Sequence, residues 1–310
     1  MKIFTGNSNP LLADSIAKSL GQDIGKIDIK KFSDGELSIA FLENIRNEDV
    51  YIIQSLNHPA DNIIELLLML DAAKRASAKN VVAVIPYLGY GRQDRKDRPR
   101  VPISARLMLD LMTAVGVNRI ICMDLHSPQI QGFVNIPFDH LYSRITILDR
   151  LKRMELNDTN GVILAPDVGG AKMGQSYAKK LQLGFALIDK RRPKPNQTEV
   201  VNLVGNLSDR HVIIIDDMID TGGTICNAAA TAIENGAIDV TVVATHPVLS
   251  GESVKKLQQS AISRVIVCDT IKLEKDKFFD KLEIVSTAEV FSESIRRIDS
   301  GESLSSMFKI

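Results

Sequence analysis

The sequence predicts an α/β protein built from two similar doubly wound domains, each with a mostly parallel central sheet flanked by helices. Three observations carry that prediction. Short β-rich apolar runs recur along the chain, and several are continuously apolar rather than alternating. Strands buried on both faces, as in parallel sheets, need that pattern. Helical patterns fall between the runs, which gives the strand–loop–helix order of doubly wound units. The order runs twice, on either side of the polar stretch Leu148–Asn160, LDRLKRMELNDTN.

The expected strands are Val50–Gln54, Val81–Pro86, Arg119–Met123, Val162–Ala165, Ala186–Ile188, Val212–Ile215, Val240–Ala244 and Val265–Cys268. A helix is expected over Asn62–Ala78, where Ile63, Leu66, Leu67 and Leu70 repeat at helical spacing. A second opens at Pro102 and runs to Val115, closed by Gly116. A third covers Gly170–Leu181. A fourth covers Thr224–Asn235 and is closed by Gly236 as a left-handed cap. The chain has 310 residues, and domains commonly hold roughly 100–200. The boundary therefore falls near Tyr142–Ser143, between an N-terminal domain of residues 1–143 and a C-terminal domain of residues 144–310. About the last 15 residues are expected to pack back on the N-terminal domain.

Composition narrows the function classes. Apolar residues make up 45 % and charged residues 25 %, as in an ordinary globular protein. The formal net charge is zero, so no global basic field exists to hold nucleic acid. Cys122, Cys226 and Cys268 are widely separated and form no CxxC, which argues against disulfides or a structural zinc site. No apolar signal core opens the chain and no long apolar run spans a bilayer, so a cytoplasmic protein with no membrane partner is expected.

The most informative segment is Val212–Thr224, VIIIDDMIDTGGT. Four β-branched residues form a strand and place Asp216 and Asp217 at its carboxyl end, where open α/β sheets bind ligands. Asp220, Thr221, Gly222, Gly223 and Thr224 then lead into a helix. The glycines let backbone amides turn toward an anion, and the helix start adds free N–H groups and a positive dipole end. That half suits a phosphate. The carboxylate half suits sugar hydroxyls or a divalent metal. Together they describe a sugar phosphate.

An acidic pair after a hydrophobic strand, followed by DTGGT, resembles the phosphoribosyl-diphosphate motif of type I phosphoribosyltransferases. FSDGE (Phe32–Glu36), GRQDRK (Gly91–Lys96), DLHSPQIQGF (Asp124–Phe133), PDVGG (Pro166–Gly170), DKRRPKPN (Asp189–Asn196) and ATHPVLSG (Ala244–Gly251) extend the likeness. Their order and spacing resemble ribose-phosphate pyrophosphokinases over nearly the whole chain. The resemblance implies transfer of the β,γ-diphosphoryl group of Mg-ATP to the 1-hydroxyl of ribose 5-phosphate. The products would be AMP and phosphoribosyl diphosphate, which feeds purine, pyrimidine, histidine, tryptophan and NAD synthesis.

The same resemblance assigns roles. Arg92 and Gln93 go to ATP, and a polyanionic nucleotide needs the planar donors that Arg supplies. Phe32, Asp34, Gly35 and Glu36, locally an Asp-Gly turn, reach the adenine end of ATP from a neighbouring subunit. His126 and Asp167 form the Mg2+ site. Magnesium prefers oxygen and keeps its waters, so His126 would act partly through water or phosphate. Lys190 is the catalytic lysine, and Arg192 contacts the ribose phosphate or the transition state. Diphosphoryl transfer asks for positioning and positive charge, which a mobile basic loop closing over the site would bring. Asp216, Asp217 and Asp220–Thr224 hold ribose 5-phosphate. The expected assembly is a homo-oligomer, a hexamer built from dimers.

The chain departs from its relatives at Arg106, where Lys is common, at Val101, where Glu is common, and at Met173 and Gly174. None of these touches the catalytic set. A phosphoribosyltransferase would share Asp216–Thr224 without needing FSDGE, GRQDR or the basic loop. A non-catalytic regulatory homologue would carry insertions in that loop, whereas Asp189–Val200 is compact here. No Walker A, GxSxG or HExxH sequence occurs.

Overall fold

The computed structural model describes residues 1–191 and 200–308. The chain divides into two compact units. The first takes Met1–Ser143, Thr270–Lys272 and Ser286–Ile310, and the second takes Arg144–Asp269 and Leu273–Val285.

The first unit begins with β1 (Lys2–Thr5), α1 (Pro10–Ser19), β2 (Ile27–Lys31), β3 (Leu37–Phe41), β4 (Asp49–Ile53) and α2 (Asp61–Arg75). It continues with β5 (Asn80–Ile85), α3 (Ser104–Ala114), β6 (Arg119–Met123) and β7 (Phe138–Leu141). Its sheet has the order β1-β4-β5-β6-β7 and every pairing is parallel. The strands are buried because they are apolar at consecutive positions. Leu66, Met69, Leu70 and Ala73 of α2 and Ala105, Leu109 and Met112 of α3 pack with Ile52, Ala83, Ile85 and Ile120. The spacing in α2 puts its four side chains on one stripe. β2 and β3 form a separate antiparallel hairpin. Asn9 caps α1 by accepting from the Leu12 amide, and Pro10 follows at the first helical position.

A buried polar network fixes the loop after β1. The Glu65 carboxylate, 3 % exposed on α2, accepts from Asn7 N at 2.6 Å, Asn7 Nδ2 at 2.8 Å and Gln54 Nε2 at 2.8 Å. Gln54 Oε1 accepts in turn from Ser8 N and Ser8 Oγ. Gly6 must be glycine, since a Cβ there would lie 2.3 Å from Gln54 Oε1.

The second unit contains α4 (Arg144–Lys152), β8 (Gly161–Ala165), α5 (Ala171–Leu181), β9 (Gly184–Arg191), β10 (Val200–Val204) and β11 (His211–Ile219). Then come α6 (Gly223–Glu234), β12 (Asp239–Pro247), α7 (Ser253–Gln259), β13 (Arg264–Cys268) and β14 (Leu282–Val285). The sheet order is β10-β9-β8-β11-β12-β13-β14. β10 is antiparallel to β9, and the other pairs are parallel. Successive residues of β11 feed opposite faces. Val212 and Ile214 pack with Ala228, Ala229 and Ala232 of α6. Ile213 and Ile215 pack with Leu148 and Leu151 of α4 and Tyr177 of α5. Both faces of the sheet are thus covered, as a doubly wound sheet requires. The chain then supplies α8 (Ala288–Ser300) to the first unit, where Phe291 and Ile295 are fully buried and the helix packs on α1.

Each expected strand and helix is present, with four differences. β11 runs on through Asp216 and Asp217 to Ile219, because β12 pairs with it as far as Ile219↔Pro247. The acidic pair therefore lies within the strand rather than after it. β9 is longer than Ala186–Ile188 and carries Lys190 and Arg191, which pair with Val201 and Val200 of β10. Pro102 and Ile103 precede α3, which opens at Ser104. The polar stretch Leu148–Asn160, free of strand signal, begins inside a helix, α4. Gly116 and Gly236 do close their helices, with φ of 97° and 85°. Cys122 and Cys268 are buried, Cys226 is half-buried, and all are free thiols. No helix among the described residues is long and apolar enough to cross a membrane.

Candidate active-site residues

In the second unit the strand order reverses direction between β8 and β11, which are direct neighbours. Such a switch point opens a crevice at the carboxyl ends of the strands. Asp167 follows β8, and its Oδ1 accepts from Gly170 N at 2.9 Å at the entry to α5. Asp216 and Asp217 lie in the last part of β11, and Asp216 accepts from the Asp217 amide at 2.9 Å. Burial pushes the Asp216 carboxyl up to about 8, with the neighbouring Asp217 charge second and Asp167 contributing in the same sense. These three carboxylates therefore share one electrostatic neighbourhood.

Asp220 begins the turn into α6. Gly222 sits at the N-cap with φ of 75°, a left-handed conformation that favours glycine, and no side chain caps the helix. The first N–H groups of a helix have no intrahelical acceptor, so this start leaves backbone donors that no side chain caps. Thr221 and Thr224 are exposed beside it. The structure thus groups Asp167, Asp216, Asp217 and Asp220–Thr224 at one end of one sheet. Lys190 is on β9, the strand beside β8. Arg192 lies outside the described residues.

In the first unit, Phe32–Glu36 form the tip of the β2–β3 hairpin. Gly35 N donates to Phe32 O at 2.9 Å, Phe32 N to Glu36 O at 2.8 Å, and Gly35 takes φ of 95°. Glu36 N donates to Asp34 Oδ1 at 3.1 Å. The Asp-Gly turn is therefore real, and it holds the Phe32 ring 59 % exposed. Lys31 ties the hairpin base to Asp61 at the start of α2 by a 2.5 Å ion pair.

Arg92 and Gln93 lie in the loop after β5. Gln93 N donates to Tyr90 O, and Ala105 N donates to Gln93 O at 3.2 Å. Ser104 Oγ donates to Gln93 Oε1. Gln93 is thereby held against the first residues of α3, while Arg92 stays exposed. Sequence reasoning missed Ser104, because nothing local ties it to a residue eleven positions earlier. His126 is exposed in the loop after β6, the strand beside β5. Two residues before it, Asp124 is anchored by Ser143 N and Oγ. Among the described residues, no three His, Cys, Asp or Glu side chains close into a metal cage.

Two family models match the chain. One is described as the N-terminal domain of ribose phosphate pyrophosphokinase and covers residues 1–116. The other is the phosphoribosyl synthetase-associated domain, over residues 189–309. The chain is 49 % identical to a ribose-phosphate pyrophosphokinase of Chlorobaculum tepidum over 99 % of this chain and 95 % of that one. It is 46 % identical to the one of Caldanaerobacter subterraneus, over 99 % and 98 %. Its fold matches the crystal structure of phosphoribosylpyrophosphate synthetase from Mycobacterium smegmatis with a TM-score of 0.91 and 36 % identity, over 97 % of this chain and 99 % of that one. On these likenesses and the carboxylate-and-helix geometry above, the chain belongs to the ribose-phosphate pyrophosphokinase family.

Proposed function

We propose that the chain transfers the β,γ-diphosphoryl group of ATP to the 1-hydroxyl of ribose 5-phosphate, giving phosphoribosyl diphosphate and AMP. The observation that carries the site assignment is the uncapped start of α6 next to the Asp216–Asp217 pair. An anion cradle and a carboxylate pair, side by side, match the two ends of a ribose phosphate. Thr221, Gly222, Gly223 and Thr224 hold the 5-phosphate through backbone N–H groups and hydroxyls. Asp216 and Asp217 accept from the ribose hydroxyls, and Asp220 closes the loop.

ATP is assigned to Arg92 and Gln93, with Phe32, Asp34, Gly35 and Glu36 of a neighbouring copy at its adenine. That arrangement requires a homo-oligomer, and a hexamer is the assembly we propose. Lys190 and Arg192 supply positive charge to the diphosphoryl group as it moves. Magnesium fits the donor set. Burial first, and the neighbouring Asp217 charge second, raise the Asp216 carboxyl; a hard cation beside it would favour the ionised form against both, and Mg2+ takes few protein ligands while keeping waters. His126 and Asp167 are the residues proposed to hold it. When bound, the ion neutralises charge on the phosphates. A cytoplasmic role in nucleotide biosynthesis accords with this chemistry.

The test is direct. Purified protein given ribose 5-phosphate, Mg-ATP and inorganic phosphate should release AMP. Folded protein that releases none would defeat the proposal. Lys190→Ala should lower kcat by about 10³-fold, the scale of a main charge stabiliser, with ATP binding nearly intact. Equal losses in both would make Lys190 a binding residue.

A further inference from the structure

The phosphate loop rests on a segment that no assigned role includes. β11 and β12 pair through Ile219↔Pro247. The two segments stay joined beyond the sheet. Leu249 N donates to Ile219 O at 2.9 Å, and Ser250 N donates to Asp220 O at 3.1 Å. Ser250 Oγ also donates to Asp220 Oδ1. Leu249 is fully buried and takes φ of 45°, so the turn after β12 is fixed from below. Ser250 O accepts from Ser253 N at 3.2 Å. The Ser253 carbonyl and the Leu257 side chain lie beneath Gly222, 3.8 and 3.6 Å from where a Cβ would stand.

Asp220 is a carboxylate in a loop whose next residues form an anion cradle. A carboxylate free to swing toward that cradle would repel a phosphate. Ser250 grips Asp220 at both its carbonyl and its side chain, on the side of the loop that faces the β12 turn. We propose that Ser250 is a positioning residue for ribose 5-phosphate. It touches no substrate and acts through Asp220, fixing the carboxylate so that the backbone of residues 221–224 keeps its anion-binding form. This inference rests on the ribose 5-phosphate site proposed above.

The experiment compares wild type, Ser250→Ala, Ser250→Thr, Asp220→Asn and the Ser250→Ala/Asp220→Asn double variant. Two readouts are used: steady-state AMP formation, and calorimetric binding of ribose 5-phosphate without nucleotide. Ser250→Ala should raise both KM and Kd for ribose 5-phosphate by about tenfold, the worth of one lost charge-assisted hydrogen bond. KM for ATP should stay within about twofold. Ser250→Thr, which keeps the hydroxyl, should restore ribose 5-phosphate binding. The double variant should bind no worse than Asp220→Asn alone, since coupled residues are non-additive. An unchanged Kd in Ser250→Ala, a matching rise in KM for ATP, failure of Thr to rescue, or additive losses in the double variant would each overturn the inference. The two proposals fail separately. Wild type that binds ribose 5-phosphate but makes no AMP defeats the diphosphoryl transfer, while the calorimetric series still decides Ser250.

Discussion

Asp216 is predicted to stabilise function at the expense of the fold, and Asp216→Asn exposes the trade. Burial and the Asp217 charge push its carboxyl from 3.8 up to about 8. A raised carboxyl binds its proton more tightly in the folded state. Its contribution to stability is thus fully present below the unfolded value near 3.8 and is lost as pH rises through about 8. At face value, about 1.36 kcal/mol per pH unit across that window gives roughly 6 kcal/mol. Asp216 is only half-buried and shares the proton with Asp217, so water and coupling reduce this to about 2 kcal/mol. Asn keeps the shape and removes the charge. Ligand-free Asp216→Asn at pH 8.5 should therefore melt about 5 °C above wild type by scanning calorimetry, at a few degrees per kcal/mol. At pH 5.5 the folded carboxyl keeps its proton while the unfolded one has lost it, so the gap should shrink to about two fifths of its size at pH 8.5 and close only as pH falls toward 3.8. The variant should also lose affinity for ribose 5-phosphate, as function-bearing strain predicts. A variant less stable at pH 8.5, or a gap that widens on acidification, would refute the reasoning.

Two further perturbations test the fold that carries the site. Glu65→Ala strips the acceptor from Asn7 N, Asn7 Nδ2 and Gln54 Nε2 and should cost about 3 kcal/mol, read by urea unfolding, because buried donors are left unsatisfied; a change below about 1 kcal/mol would show that water replaces the carboxylate. A chain ended after Val285 loses α8 with its buried Val290, Phe291 and Ile295. At about 1.5–3 kcal/mol per buried side chain this rivals the stability of a whole domain, so the shortened chain should be aggregated or readily proteolysed in its first unit.

What was legible in the sequence follows from how local each signal is. Val50–Ile53, Val81–Ile85 and Val212–Ile215 are continuously apolar because helices cover both faces of their sheets, and nothing polar could survive there. β2 and β3 left no such trace. IDIKK and LSIAF mix polar with apolar residues, since the hairpin is buried on one side only, and FSDGE between them reads as a turn with or without flanking strands. α8 differs again: AEVFSESIRRIDS carries an amphipathic stripe through Val290, Phe291, Ser294 and Ile295, and what no single segment shows is where that stripe packs. Its partner α1 is some 270 residues earlier in the chain, and no window contains both.

The site shows the same divide. Asp216, Asp217 and the DTGGT run were readable because strand, acidic pair and helix start are contiguous. Their burial was not. An acidic pair after apolar residues looks like a strand ending, because carboxylates are rarely placed inside one. β12 extends the strand past them, pairing with Met218 and Ile219 beyond the pair, and a sheet neighbour cannot be read from one segment. The basic run from Lys190 misled in the same direction: charges and prolines spell a loop, yet β10 pairs with β9 as far as Arg191. In both places local preference loses to a strand partner supplied from elsewhere in the chain. Both lie among the residues proposed to bind and activate substrate, where conflict between local preference and global fold is expected. A carboxylate held in a strand is less free to turn away from its neighbour than one in a loop. That constraint keeps Asp216 and Asp217 crowded, and relief of the crowding is available to a ribose hydroxyl or a cation but not to the empty fold.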